Sequence, residues 1–218
     1  MNCEVCELKE VEVEHYEIRE VLRCILHTIL FHRALGLVRP KDVDCELFEI
    51  TYVQCGDPEI EKKIEDKIDE FINKVDKHPN RRSQICLSFY DTKNKQPSWF
   101  ISKVERLYWE TWCINLHVLN PKSLPKSHQN KVIDAGACAF EETESHRAAL
   151  ESSLREVLFQ IIKFANEKKD HLPPIPSNKE GASFPYEITI VSSSESSFGW
   201  HADVFKRMLQ TGHPTMIG

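Results

Sequence analysis

The sequence predicts an α+β fold: a mainly antiparallel sheet backed by three helices, then a C-terminal segment with a short helix. Three observations carry this. Three stretches repeat apolar residues with a helical period, and five alternate with the period of a strand. Helices and strands do not follow one another in strict βαβ order, which argues against a parallel sheet. The 218 residues suit one large domain, expected to span 1–218. Hydrophobic residues at 41% and charged residues at 28% are globular composition rather than disorder.

The first helix has the strongest signal. Ile18, Val21, Leu22, Ile25, Leu26, Ile29 and Leu30 fall on one face of a 3.6-residue period. Gly36 and Pro40 bar its continuation. Phe31 and Leu35 lie off the stripe, so the second half is apolar nearly all round, which predicts a buried, central helix. The second helix begins at Asp57-Pro58, a good N-cap followed by the residue favoured at the first helical position. Its narrow stripe of Ile60, Ile64, Ile68, Phe71, Ile72 and Val75 predicts a surface helix docked by one face and ending near His78-Pro79.

The third helix is expected over about 148–169. Leu150, Leu154, Val157, Leu158, Ile161, Ile162, Phe164 and Ala165 already span roughly 160° of its circumference, and Phe159 widens the arc to roughly 220°. A helix covering one sheet needs only about 100°. The excess side, Phe159 and Ile162, must therefore meet another element or another chain.

Strands are expected at Val11 and Val13, at Phe48, Ile50 and Tyr52, and at Ile85, Leu87 and Phe89. Trp112, Ile114, Leu116 and Val118 form the cleanest alternation, and Tyr186, Ile188 and Ile190 a later one. This parity places Trp112 on the apolar face and Trp109 on the opposite one. Loops are expected over 120–147, 170–185 and 192–199. A short helix is expected over 201–209, where Val204, Phe205, Met208 and Leu209 have helical spacing.

Several functions are disfavoured. With 28 basic and 34 acidic residues the net charge is −6, which gives no electrostatic footprint for nucleic acid. No run of apolar residues is long enough for a membrane span. Five glutamates against one lysine among the first fourteen residues are the wrong charge for a targeting peptide. The glycines are too scattered for a phosphate-cradling loop. The expected compartment is reducing, with the eight cysteines free.

Cys3-x-x-Cys6 has no second pair to complete a zinc site, so it is expected at a strand end. His27 and His32, five apart, point about 140° away from each other on a helix and cannot share a metal. No nucleophile elbow or oxyanion loop accompanies the cysteines and histidines. No catalytic, cofactor-binding or metal-binding residue is assigned.

The unusual feature is Pro97-Ser98-Trp99-Phe100, two adjacent aromatics between the charged stretches Lys93–Gln96 and Lys103–Arg106. Either the loop folds its tip onto its own core, or Trp99 and Phe100 form an exposed anchor with a polar rim.

An ordered set of segments runs from Met1-Asn2-Cys3 through Leu26-His27-Thr28-Ile29-Leu30-Phe31-His32-Arg33, Asp42-Val43-Asp44-Cys45 and Thr51-Tyr52-Val53. It continues with Ser98-Trp99-Phe100, Trp109-Glu110-x-Trp112, Leu116-His117-Val118 and Leu172-Pro173-x-x-Pro176. Over about residues 1–210 this set resembles the autophagy-related protein 101 family, HORMA-domain subunits of the autophagy-initiating kinase complex. The resemblance implies a HORMA domain and a cytoplasmic, non-catalytic adaptor without a cofactor, recruited to the pre-autophagosomal structure. It implies pairing with the HORMA domain of autophagy-related protein 13, which the chain would stabilise; on the arc argument, Phe159 and Ile162 are the candidates for that interface. The family's Trp-Phe finger, which recruits downstream autophagy factors, maps onto Trp99 and Phe100. Here the two aromatics are adjacent and follow Pro97, whereas the family's arrangement has a proline between them. Two alternatives stay open: another HORMA-type adaptor that binds a peptide beneath residues 186–210, and a cysteine-dependent enzyme.

Overall fold

The cleanest alternation in the sequence becomes the strand around which everything else is arranged. A computed structural model describes residues 3–34, 38–77, 82–94, 104–119, 135–174 and 183–191, with side chains of the last helix described from Glu144. In chain order the elements are β1 (Glu4–Glu7), β2 (Val11–Val13), α1 (Ile18–His32), β3 (Lys41–Asp44), β4 (Thr51–Gln54), α2 (Pro58–Lys77), β5 (Ser83–Asn94), β6 (Val104–Val118), α3 (Ala135–Glu167) and β7 (Tyr186–Val191). The main sheet has the order β1-β6-β5-β7, with β2 also beside β6. The pairs β5–β6, β5–β7 and β3–β4 are antiparallel, while β1 and β2 run parallel to β6. This mainly antiparallel α+β arrangement with three helices is HORMA-like.

Helix α1 is the centre of the core. Ile18, Val21, Leu22, Ile25, Leu26, Ile29 and Leu30 are all fully buried. The off-stripe residues Cys24, His27 and Thr28 are buried too, as an apolar circumference requires. Helix α2 starts where its cap predicts: Asp57 Oδ1 accepts from the backbone N–H of Glu59 at 2.9 Å and of Ile60 at 3.4 Å. The turn feeding it needs Gly56, whose φ is +65° and whose absent Cβ would meet Arg39 O at 2.6 Å. Lys63 and Lys74 of α2 donate to Tyr186 O and Ile190 O, at 2.9 and 3.2 Å, and so tie the helix to β7.

Four expectations need correction. Helix α3 begins at Ala135, so residues 135–147 are helix and not loop. Ala135, Ala137 and Ala139 are strong helix formers, a propensity signal hidden by the absence of an apolar stripe. Phe48 and Ile50 are buried but precede β4, which begins at Thr51; the alternation there belongs to a packed bend. Strand β3 has only Val43 among charged residues and escapes a periodicity search. Lastly, Trp109 does not face away from the core. The β5–β6 register passes from Phe89↔Glu110 to Tyr90↔Tyr108, leaving Trp109 as the extra residue of a bulge. The bulge turns Trp109 inward, where it is 1% exposed and stacks on Phe89 with ring centroids 5.2 Å apart.

Candidate functional site

The inward side of α3 is Leu150, Leu154, Val157, Ile161 and Ala165, all buried, with Leu158 and Phe164 partly so. Its outward side carries Phe159 at 68% exposure and Ile162 at 39%. Three residues apart, they are neighbours on one ridge. The flank next to them is taken: Gln160 Oε1 accepts from Lys9 N at 3.1 Å, Gln160 Nε2 donates to Glu7 O at 2.9 Å, and Lys9 pairs with Glu156. The N-terminal arm therefore clasps α3 beside the ridge and leaves the two apolar side chains bare.

A buried polar lock holds the end of α3. Arg33, in the turn that ends α1, directs Nε at 2.9 Å and Nη2 at 2.8 Å onto the carboxylate of Glu110. Its Nη1 donates to Ala165 O at 3.1 Å and its Nη2 to Lys168 O at 3.3 Å, so it also satisfies carbonyls at the end of α3. Trp112 Nε1 donates to Glu110 Oε1 at 2.6 Å, and His171 Nε2 lies 2.6 Å from Oε2. Glu110 is completely buried, and such a charge is tolerable only with partners of this quality. Glu110 shares the inward face of Trp112, two residues on, within the regular register.

The third feature is a projecting hairpin. Strand β7 pairs with β5 from Gln84 to Phe89, and Tyr90 N still donates to Pro185 O at 3.0 Å, whereas β5 and β6 pair on to Asn94↔Val104. Among the described residues, the hairpin beyond Tyr90 continues as a two-stranded ribbon. Its base is braced by Tyr108, whose hydroxyl donates to Glu187 Oε1 at 2.6 Å, and by Arg106, which pairs with Glu187 at 2.6 Å and sits 4.8 Å from the Tyr90 ring centroid. Trp99 and Phe100 fall in the connection between these strands and lie outside the described residues, as does the expected C-terminal helix.

The family model for autophagy-related protein 101 matches residues 10–179. The chain belongs to the autophagy-related protein 101 family. It is 66% identical to autophagy-related protein 101 of Arabidopsis thaliana, over all of both chains. It is 26% identical to the Schizosaccharomyces pombe protein of that name, over 92% of each chain. It is 26% identical to the Homo sapiens protein, over 83% of this chain and 79% of the relative. Among the described residues no helix is long and apolar enough to cross a membrane.

Three thiols of this autophagy-related protein 101 family member sit in environments that suppress reactivity. Burial pushes Cys3 and Cys55 up to about 11 and Cys6 up to about 12. Cys6 lies within β1, in line with the strand reading of the pair. Cys45 moves down, chiefly because the Cys24 thiol donates to it; the other groups acting on it are Glu20, Asp44 and Arg23, with no imidazole among them. His27 lies buried against the Tyr52 ring, centroids 5.9 Å apart, and half-buried His32 packs beside Phe31.

Proposed function

We propose that the chain is a non-catalytic adaptor of the autophagy-initiating kinase complex. It pairs with the HORMA domain of autophagy-related protein 13 through the α3 ridge at Phe159 and Ile162. It presents Trp99 and Phe100, at the end of the β5–β6 ribbon, to downstream autophagy factors. In this reading it is cytoplasmic and reaches the pre-autophagosomal structure through its partners.

The observation that carries this reading is the pair of bare apolar side chains on an otherwise docked helix. A phenylalanine two-thirds in water gains roughly 1.5–3 kcal/mol when buried, so the ridge favours a partner. Docking of this type commonly buries on the order of 1,600 Å² in total. A tryptophan anchor adds roughly 2 kcal/mol or more at its own interface. The alternative of a peptide-binding adaptor has less support, because the Tyr186 and Ile190 carbonyls of β7 already accept from Lys63 and Lys74.

The test is light scattering on a sizing column, with the chain alone and then mixed with the HORMA domain of autophagy-related protein 13. A one-to-one heterodimer is expected. Separate elution of two folded proteins would sink the adaptor reading.

A further inference from the structure

Seven cysteines lie among the described residues, all as free thiols. Five are buried, and Cys3 and Cys45 alone reach solvent. Cys45 is set apart by its neighbour. It opens the bend between β3 and β4, which its own N–H closes by donating to Ile50 O at 2.9 Å. Glu20 of α1 holds the next two residues, accepting from the backbone N–H of Glu46, and from that of Leu47 at 3.0 Å. Cys24 lies one turn further along the same face of α1. The bend is therefore pinned over this face, and the Cys24 thiol, itself fully buried, donates to the Cys45 sulfur.

That donation holds Cys45 below the ordinary thiol value, against its partial burial and the charges of Glu20 and Asp44, with Arg23 in support. The thiolate is the reacting form, so such a thiol is the better placed to attack. The other cysteines differ. Burial pushes Cys3 up to about 11, and its sulfur has oxygen partners, Thr111 Oγ1 at 3.6 Å and Glu4 O at 3.7 Å. Cys86 and Cys113 stand directly opposite each other across β5 and β6, a spacing that a disulfide can bridge. They are 2% and 1% exposed, which denies an oxidant a route to them. Among the described residues, Cys45 alone joins solvent access to a donating thiol.

We propose that Cys45 and Cys24 form a peroxide-sensitive pair, with Cys45 as the attacking thiol and Cys24 as the resolving one. The Cys45 thiolate attacks one oxygen of a hydroperoxide. The O–O bond breaks, and the leaving oxygen takes up the proton that the thiol gave to water. Cys45 is then a sulfenic acid. The Cys24 sulfur attacks the sulfenic sulfur, the S–S bond forms and the S–O bond breaks. The hydroxyl leaves as water with the Cys24 proton. The peroxide has gained two electrons, one from each sulfur. The new bond makes covalent the hold on the bend that Glu20 supplies by hydrogen bonds. Further along, that bend grips α3: Arg155 Nη2 donates to Glu49 O at 2.7 Å, and Glu49 N to Glu151 Oε2 at 3.2 Å. Oxidation thus ties α1 to the bend that holds α3, and reduction by a thiol releases it. The pair uses none of the residues of the α3 ridge and stands or falls independently of it.

The test treats the full chain with hydrogen peroxide, alkylates the remaining thiols and maps the peptides by mass spectrometry. The first product expected is a monomer lighter by two hydrogens, with the Cys24 and Cys45 peptides joined and dithiothreitol restoring both thiols. Cys86 and Cys113 should still be alkylated once the chain is unfolded. Cys45 should react about tenfold or more faster than Cys3 at neutral pH, because the lower nucleophilicity of a more acidic thiol offsets only part of its larger thiolate fraction. Cys24→Ala should stop at a Cys45 sulfenic acid that dimedone captures. Cys45→Ser, at a half-buried site, should abolish the link and leave Cys24 reduced. Should Cys24→Ala fail to fold, Cys45→Ser and the unaltered chain decide the matter. A first link between any other cysteines, Cys3 reacting as fast as Cys45, or both thiols surviving excess peroxide would each overturn the proposal.

Discussion

Helices α1 and α3 both carry apolar residues around more of their circumference than one docked face requires, and the structure treats them differently. Around α1 the surplus is absorbed internally: Cys24, His27 and Thr28 are buried along with the stripe. On α3 the surplus stays in water at Phe159 and Ile162. A wide apolar arc thus establishes that a helix needs further contacts, without settling whether they come from its own chain. What separates the two is position. Helix α1 lies among α2, α3 and the β3–β4 ribbon, whereas α3 packs on α1, the N-terminal arm, Trp112 of β6 and the bend at Glu49, and leaves Phe159 and Ile162 on its far side in water.

The sharpest way to break the contrast is at the lock between them. Arg33→Ala leaves Glu110 charged and buried without its main partner, and breaking such a pair costs about 3–5 kcal/mol. At roughly 2–4 °C per kcal/mol for a chain of this size, the thermal midpoint should fall by on the order of 10 °C. A smaller but still large loss is expected inside α1. Leu26→Ala, at a fully buried site, should cost about 2–5 kcal/mol in urea unfolding. The matching change on α3, Phe159→Ala, should stay within about 0.5 kcal/mol, because that ring is exposed. Equal losses at the two positions would erase the distinction.

His27 gives α1 a pH signature. Its folded value of about 4 lies below the ordinary 6.5, so the unfolded chain binds more protons between them. The stability held by the neutral ring is complete above pH 6.5 and is lost as pH falls toward 4, by about 3 kcal/mol. His27→Leu should flatten that part of a urea-midpoint profile. No such slope attaches to the α3 ridge. The smallest expected effect on stability is at the ribbon end: Trp99→Ala with Phe100→Ala should shift the thermal midpoint by only a degree or two, while recruitment of downstream factors is lost and HORMA pairing kept. A fall of many degrees would make the aromatic pair core.

The contrast also explains what the sequence could reveal. The stripes of α1 and α2, the Asp57-Pro58 cap and the alternations of β5, β6 and β7 are local patterns, and all became the elements they imply. The bare Phe159 and Ile162 were legible as an over-wide arc, because periodicity counts faces directly. The inward turn of Trp109 was not: one inserted residue reverses strand parity, and no local signal separates Trp109 from the ideal alternation of Trp112 to Val118. Nor was the lock of Arg33, Glu110 and His171, whose members are far apart in sequence and meet only in the folded chain. The start of α3 at Ala135 was hidden because small and charged residues form helix without an amphipathic stripe.

The central claim is that the α3 ridge is an intermolecular surface. Its most direct test is calorimetric titration of the HORMA domain of autophagy-related protein 13 into the chain carrying Phe159→Asp and Ile162→Asp, beside the unaltered chain. The predicted result is binding lost by a factor of a hundred or more, with the melting temperature of the isolated chain unchanged. Unaltered affinity in a folded double variant would contradict the account and place the interface elsewhere on the molecule.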